Sequence, residues 1–514
     1  MADKILVTNR TALTEKYKAA GMKAIATAVT ALIAADKARG LTTRLIDVAN
    51  AAAMKKLKAS AVSSRNSGRQ NKDAVDAIYA ALRPDYVVIL GGPDVIPHLS
   101  LVNPLPKDRD EDVPSDLPYA SDAKFTKRDI AAYCAITRVV GRIPDITGAD
   151  DPAFLIAQLR NSAQFKSRKR EDYLKHFAIS AEVWKDSTQM SVEAIFDAAT
   201  VRTSPLTGHP KVNALLTPLM HFINCHGDKV DPQFYGEDKR ENFPVALASS
   251  GVSAKAKAGT IVAAECCYGA QLFDPAQAQG VRQISISYLA KKAVGFLGST
   301  NIAYGPAEGN SAADLVTQYF LINVLAGASL GRACLQARQK FVQTQKMASA
   351  VNLKTLGQFY LLGDPSVHPC PPVQPKAETV AKVLDFPAAR ATRRMALVAF
   401  GKAAAASSAF LAKPLRAPGS VLTKTLRSLA RRRGFQARVI AAFAVQPGED
   451  YREPMKARAV VPRVLVVTEP AKLRRKVSAR RKAGAERPMA ARYCVLEAIA
   501  HGNRIVSMTQ YVSR

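Results

Sequence analysis

Cysteine is scarce in this chain, with seven in 514 residues. An odd, scattered set excludes a disulfide framework. The starting expectation for each thiol is a small buried side chain. No run approaches the ~20 apolar residues of a membrane span, so no transmembrane segment is expected. The opening Met1-Ala-Asp-Lys-Ile-Leu-Val-Thr lacks the charged, apolar and small-residue regions of a secretory signal. It reads as a strand, and a cytoplasmic protein is expected. No repeat recurs at a solenoid period. Acidic residues are also short, 42 against 73 Lys and Arg, for a net charge of +31. The deficit is uneven. From Lys376 onward there are 29 basic and 8 acidic residues, a net +21. Such asymmetry suggests nucleic acid, an anionic surface or an acidic partner for the C-terminal region. Aromatics are few there, so base stacking is not indicated.

What is present is a long α/β pattern. A single core stops growing near ~250–300 residues, so two or three domains are expected. Lys4-Ile-Leu-Val-Thr, Thr43-Arg-Leu-Ile-Asp-Val and Tyr86-Val-Val-Ile-Leu are strands separated by helical stretches at 11–38 and 73–82. Continuous apolar strands between helices imply a mostly parallel sheet covered on both faces. Residues 99–130, rich in Pro and Asp, read as a surface excursion. The α/β pattern then resumes and closes at Phe359-Tyr-Leu-Leu-Gly-Asp-Pro. The expected divisions are an N-terminal subdomain at 1–145, a second subdomain at 146–370, a linker at 371–394 and a small basic α+β domain at 395–514. In that last domain Met395-Ala-Leu-Val-Ala-Phe, Ala437-Arg-Val-Ile-Ala-Ala-Phe, Val461-Pro-Arg-Val-Leu-Val-Val and Arg504-Ile-Val-Ser-Met read as strands, and 493–501 as a helix.

Two apolar strands end in reactive side chains. One leads into His226-Gly227, the other through Glu265-Cys266 into Cys267-Tyr268-Gly269. Ligands and catalytic groups gather beyond the carboxyl ends of parallel strands. The glycines let the backbone turn and a substrate come close. A cysteine nucleophile needs a thiolate, a proton donor for the leaving amine and an oxyanion site. His226 supplies the proton, and the N–H groups of Gly227 and Cys267 could hold the oxyanion. No third residue is required, and no Asp or Asn orienter stands out. Strand alternation puts Glu265 and Cys267 on one face and Cys266 on the other.

At these residues the chain resembles the caspase and gingipain peptidases of clan CD. Glu265-Cys266-Cys267-Tyr268-Gly269 is similar to the caspase Gln-Ala-Cys-x-Gly block, which favours Cys267; the gingipain Cys-x-x-Gly pattern would favour Cys266. The resemblance to gingipains spans most of 1–370. It is carried by Tyr86-Val-Val-Ile-Leu-Gly-Gly-Pro-Asp-Val-Ile-Pro, Asp116-Leu-Pro-Tyr-Ala-Ser-Asp, Val140-Gly-Arg-Ile-Pro-Asp, Gly298-Ser-Thr-Asn-Ile-Ala-Tyr and Leu361-Leu-Gly-Asp-Pro-Ser. It implies a caspase-like fold in two subdomains and an endopeptidase acting on protein or peptide through a thioester. It also implies a pocket for the P1 side chain, walled by Tyr304, with Glu265 helping to shape it. The acidic residue that selects a basic P1 has no secure counterpart, Asp186 being nearest. Calcium is implied by the resemblance alone, and no ligands for it can be placed.

Blander readings stand beside these. Cys225, His226, Cys266 and Cys267 could be a zinc site, but adjacent strand residues diverge and leave only two ligands on a face. Asp314 and Asp364 read as structural. Arg431-Arg-Arg, Arg474-Arg-Lys and Arg480-Arg-Lys could be solvated faces or phosphate contacts. The rival to a peptidase is an inert caspase-like scaffold that binds through its basic C-terminal region.

Overall fold

A computed structural model of the chain describes residues 2–197, 200–204, 215–371, 386–406, 410–415, 419–433, 435, 440–446, 463–470 and 493–514. The strands of the first 371 residues are β1 Lys4–Thr8, β2 Thr43–Asp47, β3 Tyr86–Leu90, β4 Leu99–Val102, β5 Asp112–Ser115, β6 Val140–Ile143, β7 His176–Ala181 and β8 Arg202–Ser204. They continue with β9 Met220–Asn224, β10 His226–Gly227, β11 Gln233–Tyr235, β12 Val245–Ala248, β13 Ile261–Ala264, β14 Gly295–Ser299, β15 Tyr304–Pro306 and β16 Phe359–Leu362. Ten of these form one sheet in the order β2-β1-β3-β6-β16-β14-β13-β9-β7-β8. All its pairings are parallel except β14 with β16. The expected mostly parallel α/β sheet is therefore present, and it runs unbroken across both expected subdomains.

The sequence blocks quoted above meet at the middle of this sheet through buried charge. Arg142 on β6 is held by both carboxylate oxygens of Asp116, at 2.8 and 2.6 Å, and donates to the carbonyls of Gly91 and Ile96. Lys4 on β1 pairs with Asp364, at 2.5 Å, and with Asp36. Asp145 accepts from the N–H of Gly92, from Tyr17 and from Lys16. Charges with so little solvent persist only when paired and hydrogen-bonded. These contacts tie β1, β3, β6 and the segment after β16 together.

The helix Arg10–Ala38 is long and apolar enough, by composition, to cross a membrane. Its buried residues Leu13, Tyr17, Ile25, Val29 and Leu32 fall at helical spacing. They pack with β1 and β3 residues in one apolar cluster, as a sheet-flanking helix does.

The C-terminal region differs from expectation in three places. Residues 395–400 belong to the helix Phe386–Ala406, which packs on the helix Leu330–Thr344 and begins within the expected linker. A six-residue apolar run does not by itself distinguish a strand from a buried helix. Residues 493–501 form a strand, not a helix. Its pairing on both sides overrides the helix formers Leu496, Glu497 and Ala498. Residues 437–439 and the runs at 474–476 and 480–482 lie outside the described residues. The strands here are β17 Phe410–Leu415, β18 Ala441–Gln446, β19 Arg463–Pro470, β20 Tyr493–His501 and β21 Arg504–Ser513.

These five strands form an antiparallel sheet whose sixth member is β15, in the order β15-β21-β20-β19-β18-β17. One face is covered by the helix Ser420–Arg432, which buries Leu422, Leu426 and Ala430. Arg431, Arg432 and Arg433 are exposed on it. The second sheet thus takes β15 from the first 371 residues, and β21 is the strand that pairs with it.

Candidate active site

His226 and Cys267 sit beyond the carboxyl ends of the adjacent parallel strands β9 and β13. Alternation past β13 sends the two cysteines apart. Cys266 lies in the apolar cluster that also contains Cys225, Ile223 and Ala264. Cys267 lies in a different cluster with Leu105, Tyr268, Tyr304 and Tyr511. Gly227 is pressed against the Cys267 peptide so closely that a Cβ there would overlap the Cys267 carbonyl oxygen. The histidine and cysteine segments are thus in direct contact through this glycine.

The imidazole of His226 is fixed on three sides. Its Nε2 lies 2.8 Å from a carboxylate oxygen of Glu237. Its ring is tilted over Trp184, with centroids 4.3 Å apart, and meets Phe243 edge-on at 5.3 Å. Glu237 is buried and comes from the segment just after β11, which returns antiparallel to β10. With Nε2–H donating to Glu237, Nδ1 is the nitrogen that would exchange protons with a substrate. His221 provides the contrast. Between Tyr288 at 2.7 Å and the Pro218 carbonyl at 3.0 Å it is wholly buried, and burial pushes its pKa down to about 4. It is a neutral structural histidine.

The Cys267 sulfur lies 3.4 Å from the Ala303 carbonyl oxygen. Burial pushes its pKa up to about 12, against the opposing pull of Ala303 and of the Lys354 charge. The thiol is therefore neutral in this state. Its main-chain N–H, one of the two proposed oxyanion donors, is already in use. It donates to the carbonyl of Arg514 at 2.9 Å.

Arg514 also fills a side-chain pocket beside the histidine. Its guanidinium stacks on Trp184, 4.5 Å from the ring centroid. The Nη2 donates to Asp314 at 3.1 Å, to the Pro306 carbonyl at 3.2 Å and to Ser187 at 3.4 Å. Asp314 opens the helix Ala313–Leu325 and is wholly buried. Glu265 lies next to it, taking a hydrogen bond from Thr317 at 3.1 Å. Burial first, then the charge of and hydrogen bond to Asp314, hold the Glu265 carboxyl well above the usual carboxylate range, with Arg514 pulling the other way. Glu265 is thus the member of the pair that burial drives toward its neutral form, and Asp314 is the one that faces the arginine.

The other sequence-selected residues fall as follows. Tyr304 opens β15, is buried, and donates through its hydroxyl to Asp108 at 2.9 Å. Asp108 and Asp110, from the Pro- and Asp-rich excursion, pair with the buried Lys354. That excursion forms a wall of the site, with Tyr268 donating to Asp110 at 2.6 Å. Asp186 is exposed on the first turn of the helix Lys185–Phe196, between Trp184 and Ser187. Among the described residues no three His, Cys, Asp or Glu side chains converge to hold a metal ion.

The sequence model of peptidase family C25 matches residues 5–369, well over half of the chain. The chain belongs to this family. It is a cysteine peptidase of clan CD, related to gingipains, and it acts on peptide or protein. No curated protein matches the chain. A solved structure described as "Structure of Protease" overlaps 99% of this chain and 96% of its own, at 11% identity and a TM-score of 0.45. The family membership rests on the sequence match.

Proposed function

We propose that this C25 peptidase hydrolyses peptide bonds with Cys267 as nucleophile, His226 as the proton-transfer group and Glu237 as the residue that orients it. The observation that carries the reading is the fixed imidazole of His226, whose neighbour Gly227 lies against the Cys267 peptide, while the Cys267 N–H already holds a carbonyl oxygen. A substrate carbonyl in the place of that oxygen accepts from the Cys267 N–H, and the Sγ attacks its carbon as the thiol proton passes to Nδ1 of His226. The C–N bond breaks as His226, through Nδ1, gives a proton to the leaving amine. The enzyme is left as a thioester. Water then attacks that thioester, its proton passing to His226, and releases the acid. A preorganised N–H at the oxyanion is worth ~3 kcal/mol of barrier. Glu237 keeps the proton on Nε2 and stabilises the imidazolium.

Cys266 points into the core and serves packing. The test is cleavage of a peptide pool by wild type, Cys267→Ala, His226→Ala and Cys266→Ala, read by mass spectrometry. Cleavage should vanish in the first two variants and persist in the third. Loss in Cys266→Ala alone would move the nucleophile by one residue.

A further inference from the structure

We infer, building on the peptidase reading above, that the strand β21 occupies the substrate cleft as a tethered pseudo-substrate. Arg514 stands in the P1 position, so the enzyme is held latent and its P1 pocket is built for arginine. The backbone supports this first. β21 adds to β15 in antiparallel register, Tyr304 with Ser513, Gly305 with Val512 and Pro306 with Tyr511. The ladder is extended at both ends, by Arg514 N–H to the Ala303 carbonyl and Ala307 N–H to the Gln510 carbonyl, each 2.9 Å. An extended peptide added to a sheet edge is a general mode of peptide recognition. Here the added strand presents the Arg514 carbonyl to the Cys267 N–H.

The side chain supports it second. Arg514 is wholly buried, ion-paired to Asp314 with Glu265 behind it, and stacked on the same Trp184 that braces the catalytic histidine. Gly305 leaves the space: a Cβ there would overlap the guanidinium. The Nε and Nη1 of Arg514 have no acceptors among the described residues, so Asp314, Pro306 and Ser187 hold it through Nη2 alone.

The consequence is competition. A free peptide of this sequence that binds with tens of micromolar affinity, presented at the millimolar effective concentration typical of a tether, suppresses activity on the order of 100-fold. Activation would then require β21 to leave its place beside β15.

The experiment compares the full chain with a variant lacking residues 511–514 and with Arg514→Ala, which keeps the strand but empties the pocket. Two rates are measured: iodoacetamide alkylation of Cys267, read by peptide mass, and cleavage of peptides carrying arginine or citrulline at P1. Both variants should alkylate faster, the truncated chain by on the order of 100-fold. The truncated chain should also cleave after arginine in strong preference to citrulline. Adding the peptide Gln-Tyr-Val-Ser-Arg should restore protection, and its Glu-terminated analogue should not. Faster alkylation without cleavage would uphold the pseudo-substrate and sink the peptidase reading instead. Unchanged alkylation in Arg514→Ala, with the fold intact by circular dichroism, would overturn the proposal. So would failure of the peptide to protect the truncated chain.

Discussion

The pairing of Arg514 with Asp314 allows one substitution to push two measurements in opposite directions. Both side chains are wholly buried. Removing one partner of a buried, hydrogen-bonded ion pair costs about 3–5 kcal/mol, because the other charge is left without compensation. At 1.36 kcal/mol per decade, that is more than two orders of magnitude in kcat/KM. In the full chain, Asp314→Asn should weaken the hold on Arg514 and raise the alkylation rate of Cys267. In a chain lacking residues 511–514, the same change should lower kcat/KM for peptides with arginine at P1 by about 100-fold and leave citrulline peptides nearly unaffected. Glu265 moderates the loss. Its carboxyl is held high by burial and by Asp314. Without Asp314 it is still held high by burial, and it must ionise to accept an arginine. Cleavage by Asp314→Asn should therefore recover as pH rises through that raised value. The double variant Glu265→Gln/Asp314→Asn should not recover. The reasoning fails if the double variant keeps the arginine-to-citrulline ratio of the parent.

Glu237→Gln should lower kcat by about 100-fold with KM little changed, since it disturbs proton transfer and not binding; steady-state kinetics in the truncated chain decide this, and an unchanged kcat would make Glu237 merely structural. Gly305→Ala should close the pocket to any P1 arginine, so thiol alkylation rises in the full chain while arginine cleavage is lost in the truncated one. Asp116→Ala should cost about 3–5 kcal/mol of stability, because it strands Arg142, and urea denaturation measures it. Burial raises the Asp116 carboxyl, but the adjacent Arg142 charge outweighs it and the net shift is downward. This pair's stability is therefore fully present above the ordinary Asp value and drains away as pH falls through the depressed one. A wild-type stability flat across that acid range would contradict the pairing.

What the sequence exposes and what it hides follow from the range of each interaction. The parallel sheet is legible because its strands are continuous apolar runs, and that pattern is local. His226 and Cys267 are legible because both end such strands next to glycines. Alternation says only that Cys266 and Cys267 face opposite ways, as their separate clusters show, and the preference for Cys267 rests on the resemblance to the caspase block. Glu237 is hidden because β10 and β11 have two and three residues. Strands that short carry no period from which a hairpin partner can be read. The strand at 493–501 had a usable signal in Gly502-Asn503, a two-residue turn between two apolar runs that reads as a hairpin.

Arg514 and Asp314 are hidden for a different reason: 200 residues separate them. Asp314 reads as an ordinary acid at a helix start, and Arg514 as one more cation in a region with a large basic excess. Only the path of β21 gives either residue a role. That path also changes the meaning of the charge asymmetry. A basic C-terminal region calls for an acidic partner, yet Arg514 has already found one within the chain. Asp314 makes the pocket that Arg514 occupies acidic, and on the proposed reading that pocket is the P1 site. The strand that fills it is basic at the one position where the pocket demands it. Specificity and restraint are then two uses of a single ion pair, so a substitution that relaxes one must relax the other.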